Sequence, residues 1–113
     1  MQDEAYCYLT TPGRKTGKPH TVEIWFGLSG STLYMLAGGG EGADWVKNAR
    51  RQPAVTIRIR AVTFVGHVRS VQDSDDAAMA RRILVEKYQP ASSDDLGNWG
   101  RTALPIAVEL ARK

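Results

Sequence analysis

"AYCYLTTPGRKTGKPHTVEIWFGL", residues 5–28 of a 113-residue chain, decides the fold. Residues 5–11 and 20–28 are rich in β-branched and aromatic side chains, and the tract between them carries two prolines and two glycines. Two β-type runs around a cluster of turn formers read as a hairpin, so the sheet begins antiparallel. A second turn, "SGS" at 29–31, leads into "TLYMLA" at 32–37, which is apolar enough along its length for a buried strand.

Further along, the glycine loop at 38–40 precedes "DWVKNARRQP", which reads as a short helix with Asp44 as its N-cap and Pro53 as its stop. "AVTIRIR" at 54–60 sets Val55, Ile57 and Ile59 against Thr56, Arg58 and Arg60, the period of a half-buried strand. "VTFVGHVRSV" at 62–71 predicts another strand, although Arg60-Ala61 supplies poor turn residues. "DSDDAAMARRILVEKY" reads as an amphipathic helix capped by Asp73 or Ser74, with Met79, Ile83 and Leu84 on one face and an end near Gln89-Pro90. A loop, "ASSDDLGNWG", passes Trp99, and "LPIAVEL" at 104–110 supplies a last strand. About six strands and two short helices, ordered as hairpins and not as βαβ units, predict an α+β fold built on a small, mainly antiparallel closed or split β-barrel.

The length suits a single domain over residues 1–113. No apolar run approaches the roughly 20 residues that span a bilayer, and "MQDEAYCYL" lacks a basic region followed by an apolar core, so a cytoplasmic protein is expected. Cys7 is the one cysteine, which excludes an internal disulfide and a cysteine-rich metal site. His20 and His67 lie far apart with no third ligand at metal spacing, so no metal is expected. A net charge of +3 and a pI near 9.2 suit an anionic ligand without naming one.

Two features point to chemistry. In "TTPGRKTGKPH", residues 10–20, Arg14, Lys15 and Lys18 crowd their charges within a few residues, and Gly13 and Gly17 leave backbone N–H groups free to donate. The turn reads either as a grip for a diffuse polyanion or as a solvated hairpin that keeps the chain soluble. In "LAGGGEGADW", residues 36–45, three glycines follow a strand and precede a helix, which suits either a floor for a flat ligand or a plain loop. It is neither a Walker loop nor a dinucleotide fingerprint, because no Lys-Ser or Lys-Thr and no βαβ unit accompanies it. No nucleophile elbow or Cys/His pair is present, so no catalytic side chain is assigned. Trp25, Trp45, Tyr88 and Trp99 suit either a flat pocket or a core.

Taken in order, "LTTPGRKTGKPHTVEIWF", "LYMLAGGG", "DWVKNARRQPAVTIRI" and "WGRTALPIAVEL" resemble the deazaflavin-dependent nitroreductase and F420H2-dependent quinone reductase family, from about residue 6 to 110. The resemblance implies a split β-barrel of the FMN-binding, pyridoxamine-phosphate-oxidase-like type, with coenzyme F420 in a groove along the sheet. By position it implies that Arg14, Lys15 and Thr16 hold the coenzyme's phosphate and glutamate tail, with His20 as a further basic contact and Trp25 near the ring. It places Ala37, Gly38, Gly39 and Gly40 beneath the ring, with Trp45 and Asn48 on the following helix. Some relatives carry Ser-Lys where this chain has Gly38-Gly39, so one cationic contact passes to Lys47, Arg50 or Arg51, or is lost. The chain also starts almost at its first strand, without the leading helix of some members, which implies a more open pocket or closure by a second copy in a homodimer.

The implied reaction is hydride transfer to an electron-poor quinone, nitroaromatic or conjugated enone, with Trp25, Tyr88 and Trp99 as the substrate wall. FMN in place of the deazaflavin and a non-catalytic carrier are the neighbouring alternatives. From another class, a basic β-barrel presenting Arg58, Arg60 and Arg69 to single-stranded nucleic acid fits less well, because those arginines do not alternate with exposed aromatics.

Overall fold

A computed structural model describes residues 4–13 and 15–112, with the side chain of Arg112 left aside. The expected hairpin forms from β1 (Cys7–Pro12) and β2 (Pro19–Ile24). They pair antiparallel with Leu9 opposite Val22 and Thr11 opposite His20. Alternation in β1 buries Cys7, Leu9 and Thr11, so this register turns Ile24, Val22 and His20 toward the same concave side.

The run at 20–28 is two strands and not one. It breaks at Trp25-Phe26, and β3 (Gly27–Ser29) pairs with β4 (Thr32–Ala37). After α1 (Asp44–Arg51) come β5 (Ala54–Ile59), β6 (Val62–Ser70), α2 (Ser74–Tyr88), α3 (Gly97–Thr102) and β7 (Leu104–Arg112). Among the described residues the strands form one antiparallel sheet in the order β2-β1-β5-β6-β7-β4-β3. Its two edges, β2 and β3, are thus joined through only Trp25 and Phe26. Edges tied by so short a link cannot lie far apart, so the sheet curls round into a split barrel.

Inside the curl, Leu9, Phe26, Leu33, Met35, Ile57, Ile59 and Val108 form the main core, with Val46 and Ala49 of α1 plugging one end. A second core lies under α2, where Ala80, Leu84 and Tyr88 recur at a helical spacing of four and meet Tyr34, Leu36 and Ala107. Met79 and Ile83 flank this stripe as half-buried neighbours.

Asp73 caps α2, its carboxylate accepting from Asp75 N–H at 3.3 Å. Asp44, expected as the cap of α1, is instead its first residue, preceded by Ala43 with no side-chain cap. The β5–β6 connection needs no glycine, because Arg60 itself adopts φ 55° and its carbonyl accepts from Arg58 at 2.8 Å. The stretch expected as a loop around Trp99 contains α3, whose entry is set by the Asp95 side chain accepting from Gly97 N–H at 2.8 Å.

Candidate functional site

The turn after β1 closes through Gly13 N–H to the Lys18 carbonyl at 2.8 Å and Gly17 N–H to the Gly13 carbonyl at 2.8 Å, with Gly17 at φ +75°. The missing side chain of Gly13 matters as much: a Cβ there would lie 2.8 Å from the His20 ring. Glycine therefore lets the imidazole fold in against the turn. Lys15, Thr16 and His20 gather around a cleft of about 310 Å³ that Gly13, Asp44 and Asn48 complete. Arg14 lies outside the described residues.

Asn48 is 4% exposed, and its amide donates to Thr11 Oγ1 at 3.4 Å, which ties α1 to the strand beneath the cleft. Thr11 and Asp44 are members of this neighbourhood that residue patterns did not single out as site residues. Thr11 could have been found as a hydroxyl on the buried side of an alternating strand. Of the candidate replacement cations, Arg50 is engaged by Glu41 at 2.8 Å and Ser70 at 3.2 Å, while Lys47 and Arg51 are exposed on α1.

From β4, buried Ala37 leads into Gly38, Gly39 and Gly40, and a single 3-10 turn follows at Gly40–Gly42. A Cβ on Gly38 would meet only the Trp99 ring, at 3.9 Å, and one on Gly40 or Gly42 would meet nothing within 4 Å. Gly40 has φ +60°, so this backbone path itself requires glycine. One face of the loop is thus bare backbone open to a ligand. Trp45 stands half-buried against the main core from α1.

The aromatic residues meet at the other end of β2. Trp25 stacks on Tyr88 with centroids 4.2 Å apart and planes within 5°, and meets Trp99 edge-on at 5.5 Å. Trp25 and Trp99 line a cleft of about 480 Å³ with Tyr6, Glu23, Ile24, Leu36 and Leu96. Tyr88 does not line it. The ring lies behind Trp25, and burial pushes the phenol up to about 12. Tyr6, 46% exposed, is a lining residue that the sequence reading missed, since nothing local marks it.

The two clefts are linked along one strand. His20 of the basic cleft and Ile24 of the aromatic cleft share one face of β2 with Val22 between them, about 13 Å apart at strand rise. On the opposite flank, β4 brings Leu36 to the aromatic cleft and continues into the glycine loop beside Trp99. The arrangement suits an elongated ligand with an anionic end and a flat end.

The arginines of the nucleic-acid alternative are differently employed: Arg58 sits over the Tyr8 ring at 4.4 Å, Arg60 pairs with Glu4, and Arg69 bonds Asp76 and Glu109 at 2.7 Å each. Among the described residues no helix is long and apolar enough to cross a membrane, and no group of three His, Cys, Asp or Glu could hold a metal.

A family model described as F420H(2)-dependent quinone reductase matches residues 1–111. Solved structures share the fold at low identity. A chain described as a domain-swapped dimer aligns over 93% of this chain and 80% of its own, at 21% identity and TM-score 0.74. An F420-H2 dependent reductase, FDR-A, aligns over 95% and 94% at 18% identity and TM-score 0.73. A FAD-binding protein from Mesorhizobium loti aligns over 98% and 82% at 13% identity and TM-score 0.71.

Proposed function

The chain belongs to the F420H(2)-dependent quinone reductase family and is an oxidoreductase that uses coenzyme F420, and from that premise we propose that its groove reduces a flat, electron-poor acceptor. The acceptor class is a quinone, nitroaromatic or conjugated enone. The observation that carries this reading is the shared face of β2, which runs from a basic cleft to an aromatic one past an open glycine loop. The donor set fits the coenzyme, since cations and backbone amides suit a phosphate and carboxylate tail while bare glycine suits a ring.

In this assignment Arg14, Lys15, Thr16 and His20 hold the tail, and Asn48, fixed by Thr11, braces α1 against it. Gly38, Gly39 and Gly40 lie under the ring, with Ala37 and Trp45 supporting the loop from the core side. When bound, the reduced coenzyme supplies a hydride to the acceptor. The chain's part is to orient the acceptor between Trp25 and Trp99 and to exclude water with apolar walls. Tyr88 is no proton donor in this scheme, because its hydroxyl is committed to backbone groups and does not line the acceptor cleft. The protein acts in the cytoplasm, and the open side of the aromatic cleft is where a second copy would close it in a homodimer.

Titration with oxidised and reduced F420, FMN and a labelled oligonucleotide, followed by menadione turnover, tests the assignment. Tight binding is expected for F420 alone, with menadione reduced. Replacing Arg14 and Lys15 together by alanine should weaken coenzyme binding by about 2 kcal/mol, since charge-assisted contacts are lost. Wild-type affinity in that double variant would remove the tail assignment.

A further inference from the structure

Tyr88 sits at the end of α2, yet its hydroxyl reaches backbone far away in sequence, at two residues that each adjoin a residue of the aromatic cleft. It accepts from Phe26 N–H at 3.0 Å and donates to the Ala5 carbonyl at 2.7 Å, with the Phe26 carbonyl at 3.1 Å. Phe26 follows Trp25, and Ala5 precedes Tyr6. These are the aromatic members of the cleft lining other than Trp99. One phenol oxygen therefore ties down the neighbours of two cleft residues, while the ring holds the Trp25 indole flat at 4.2 Å.

The place is mechanically exposed. At Trp25-Phe26 the chain leaves one sheet edge for the other, so this backbone lies between strands and lacks a ladder to hold it. The Tyr88 hydroxyl supplies what the ladder does not. Phe26 is wholly buried, so its N–H would have no water to turn to. Lys87 adds a bond to the Phe26 carbonyl at 2.9 Å, while the ring stacked on the indole is that of Tyr88.

We propose that Tyr88 is the positioning residue of the acceptor cleft, setting the Trp25 plane and the Tyr6 backbone that the acceptor meets. This rests on reading that cleft as the acceptor site. Tyr88 touches neither coenzyme nor acceptor, so it should govern how well the acceptor is held and not how fast a held acceptor reacts.

The test is a double-mutant cycle of wild type, Tyr88→Phe, Trp25→Ala and the combined variant. The readouts are menadione KM and kcat with reduced F420, coenzyme Kd by deazaflavin fluorescence, thermal melting, and the near-UV indole dichroism of coenzyme-free protein. Tyr88→Phe keeps the stacked ring and removes only the hydroxyl. It should raise menadione KM about tenfold with kcat within about twofold, leave coenzyme Kd unchanged and weaken the indole band. In the Trp25→Ala background it should add less than about threefold, because the group it acts through is gone.

An unchanged KM and indole band in Tyr88→Phe would overturn the proposal, as would full additivity with Trp25→Ala. A parallel fall in melting temperature, kcat and coenzyme affinity would make Tyr88 a general stabiliser and also overturn it. Should Tyr88→Phe fold poorly, Trp25→Phe in the wild-type background, which leaves the buried hydroxyl in place, must still raise KM. If the wild type binds F420 but leaves menadione unreduced, the acceptor reading fails, while the indole band still decides whether Tyr88 sets the Trp25 plane.

Discussion

The basic cleft and the aromatic cleft lie on one strand but are built in opposite ways. Lys15, Thr16 and His20 come from a single hairpin, two from its exposed turn and one from the start of β2, and only Asp44 and Asn48 are brought from elsewhere. The aromatic cleft collects residues from Tyr6 to Trp99, spread over most of the chain, and is backed by the buried face of α2. An exposed turn offers charges that salt screens and a long anion can find from a distance. A packed wall offers fixed planes, which depend on every element behind them. Under the proposed assignment the difference separates holding a coenzyme from positioning its partner, so damage to one cleft should leave the other nearly intact.

The largest blow to that separation comes from behind the aromatic wall. α3 lies against α2, with Arg81 donating to the Gly100 carbonyl at 2.8 Å and the Ala103 carbonyl at 3.0 Å. A Cβ on Gly100 would lie 2.5 Å from a Val85 methyl. Gly100→Val therefore pushes α3 off α2 and should cost about 3 kcal/mol of stability, the upper range for overpacking. Trp99 moves with α3, so menadione KM should rise while the coenzyme affinity of the folded fraction stays near wild type. Thermal melting and the two titrations check this, and an equal loss of coenzyme affinity would show that the clefts are not separable.

The counterpart at the basic end is Gly13→Ala. Its Cβ would meet the His20 ring at 2.8 Å and the Lys18 carbonyl at 2.9 Å. The ring can swing away, but the carbonyl cannot move without breaking the bond that closes the turn. A loss of about 1–2 kcal/mol in stability is expected, milder because the turn lies at the surface. Coenzyme affinity should fall about tenfold with acceptor KM unchanged. Coenzyme fluorescence titration reads this directly, and wild-type affinity would place the tail away from the turn.

The same contrast explains what could be read in advance. The basic turn and the glycine loop were legible because each is contiguous and its composition is locally costly. Strands at 54–59 and 62–70 were legible from alternation and β propensity, and Asp73 from the acids that follow it. The period of two along 20–28 could not say where the chain changes partners, because β2 and β3 pair with different strands at opposite sheet edges. α3 escaped because it has six residues, two of them glycine, and is held by Arg81 from another helix and not by propensity. The role of Tyr88 was hidden for a similar reason. Its ring suggested a wall, but the bonds that place it behind Trp25 join residues 62 and 83 positions apart.

The smallest expected effect acts through charges that fix α2, and so Tyr88, to the sheet. Arg69 on β6 bonds Asp76 on α2 and Glu109 on β7, while the hydroxyls of Tyr34 and Thr32 donate to the same two carboxylates at 2.5 and 2.8 Å. The Arg69 bond, then the Tyr34 bond, hold Asp76 below its ordinary 3.8, and Arg69, then Thr32, hold Glu109 below its ordinary 4.5. A depressed folded pKa means stability that is complete above the ordinary value and disappears as pH falls through the folded one. Arg69 and Glu109 are 38% and 44% exposed, so solvent screening keeps their share small, and most of the effect belongs to Asp76 at 17%. Asp76→Asn should therefore cost about 1 kcal/mol at neutral pH. The gap to wild type should close as the pH drops below the 3.8 at which a free aspartate titrates. Urea unfolding from pH 7 to 2 follows that gap. A gap that persisted to pH 2 would mean that shape, and not charge, fixes the helix behind the aromatic cleft.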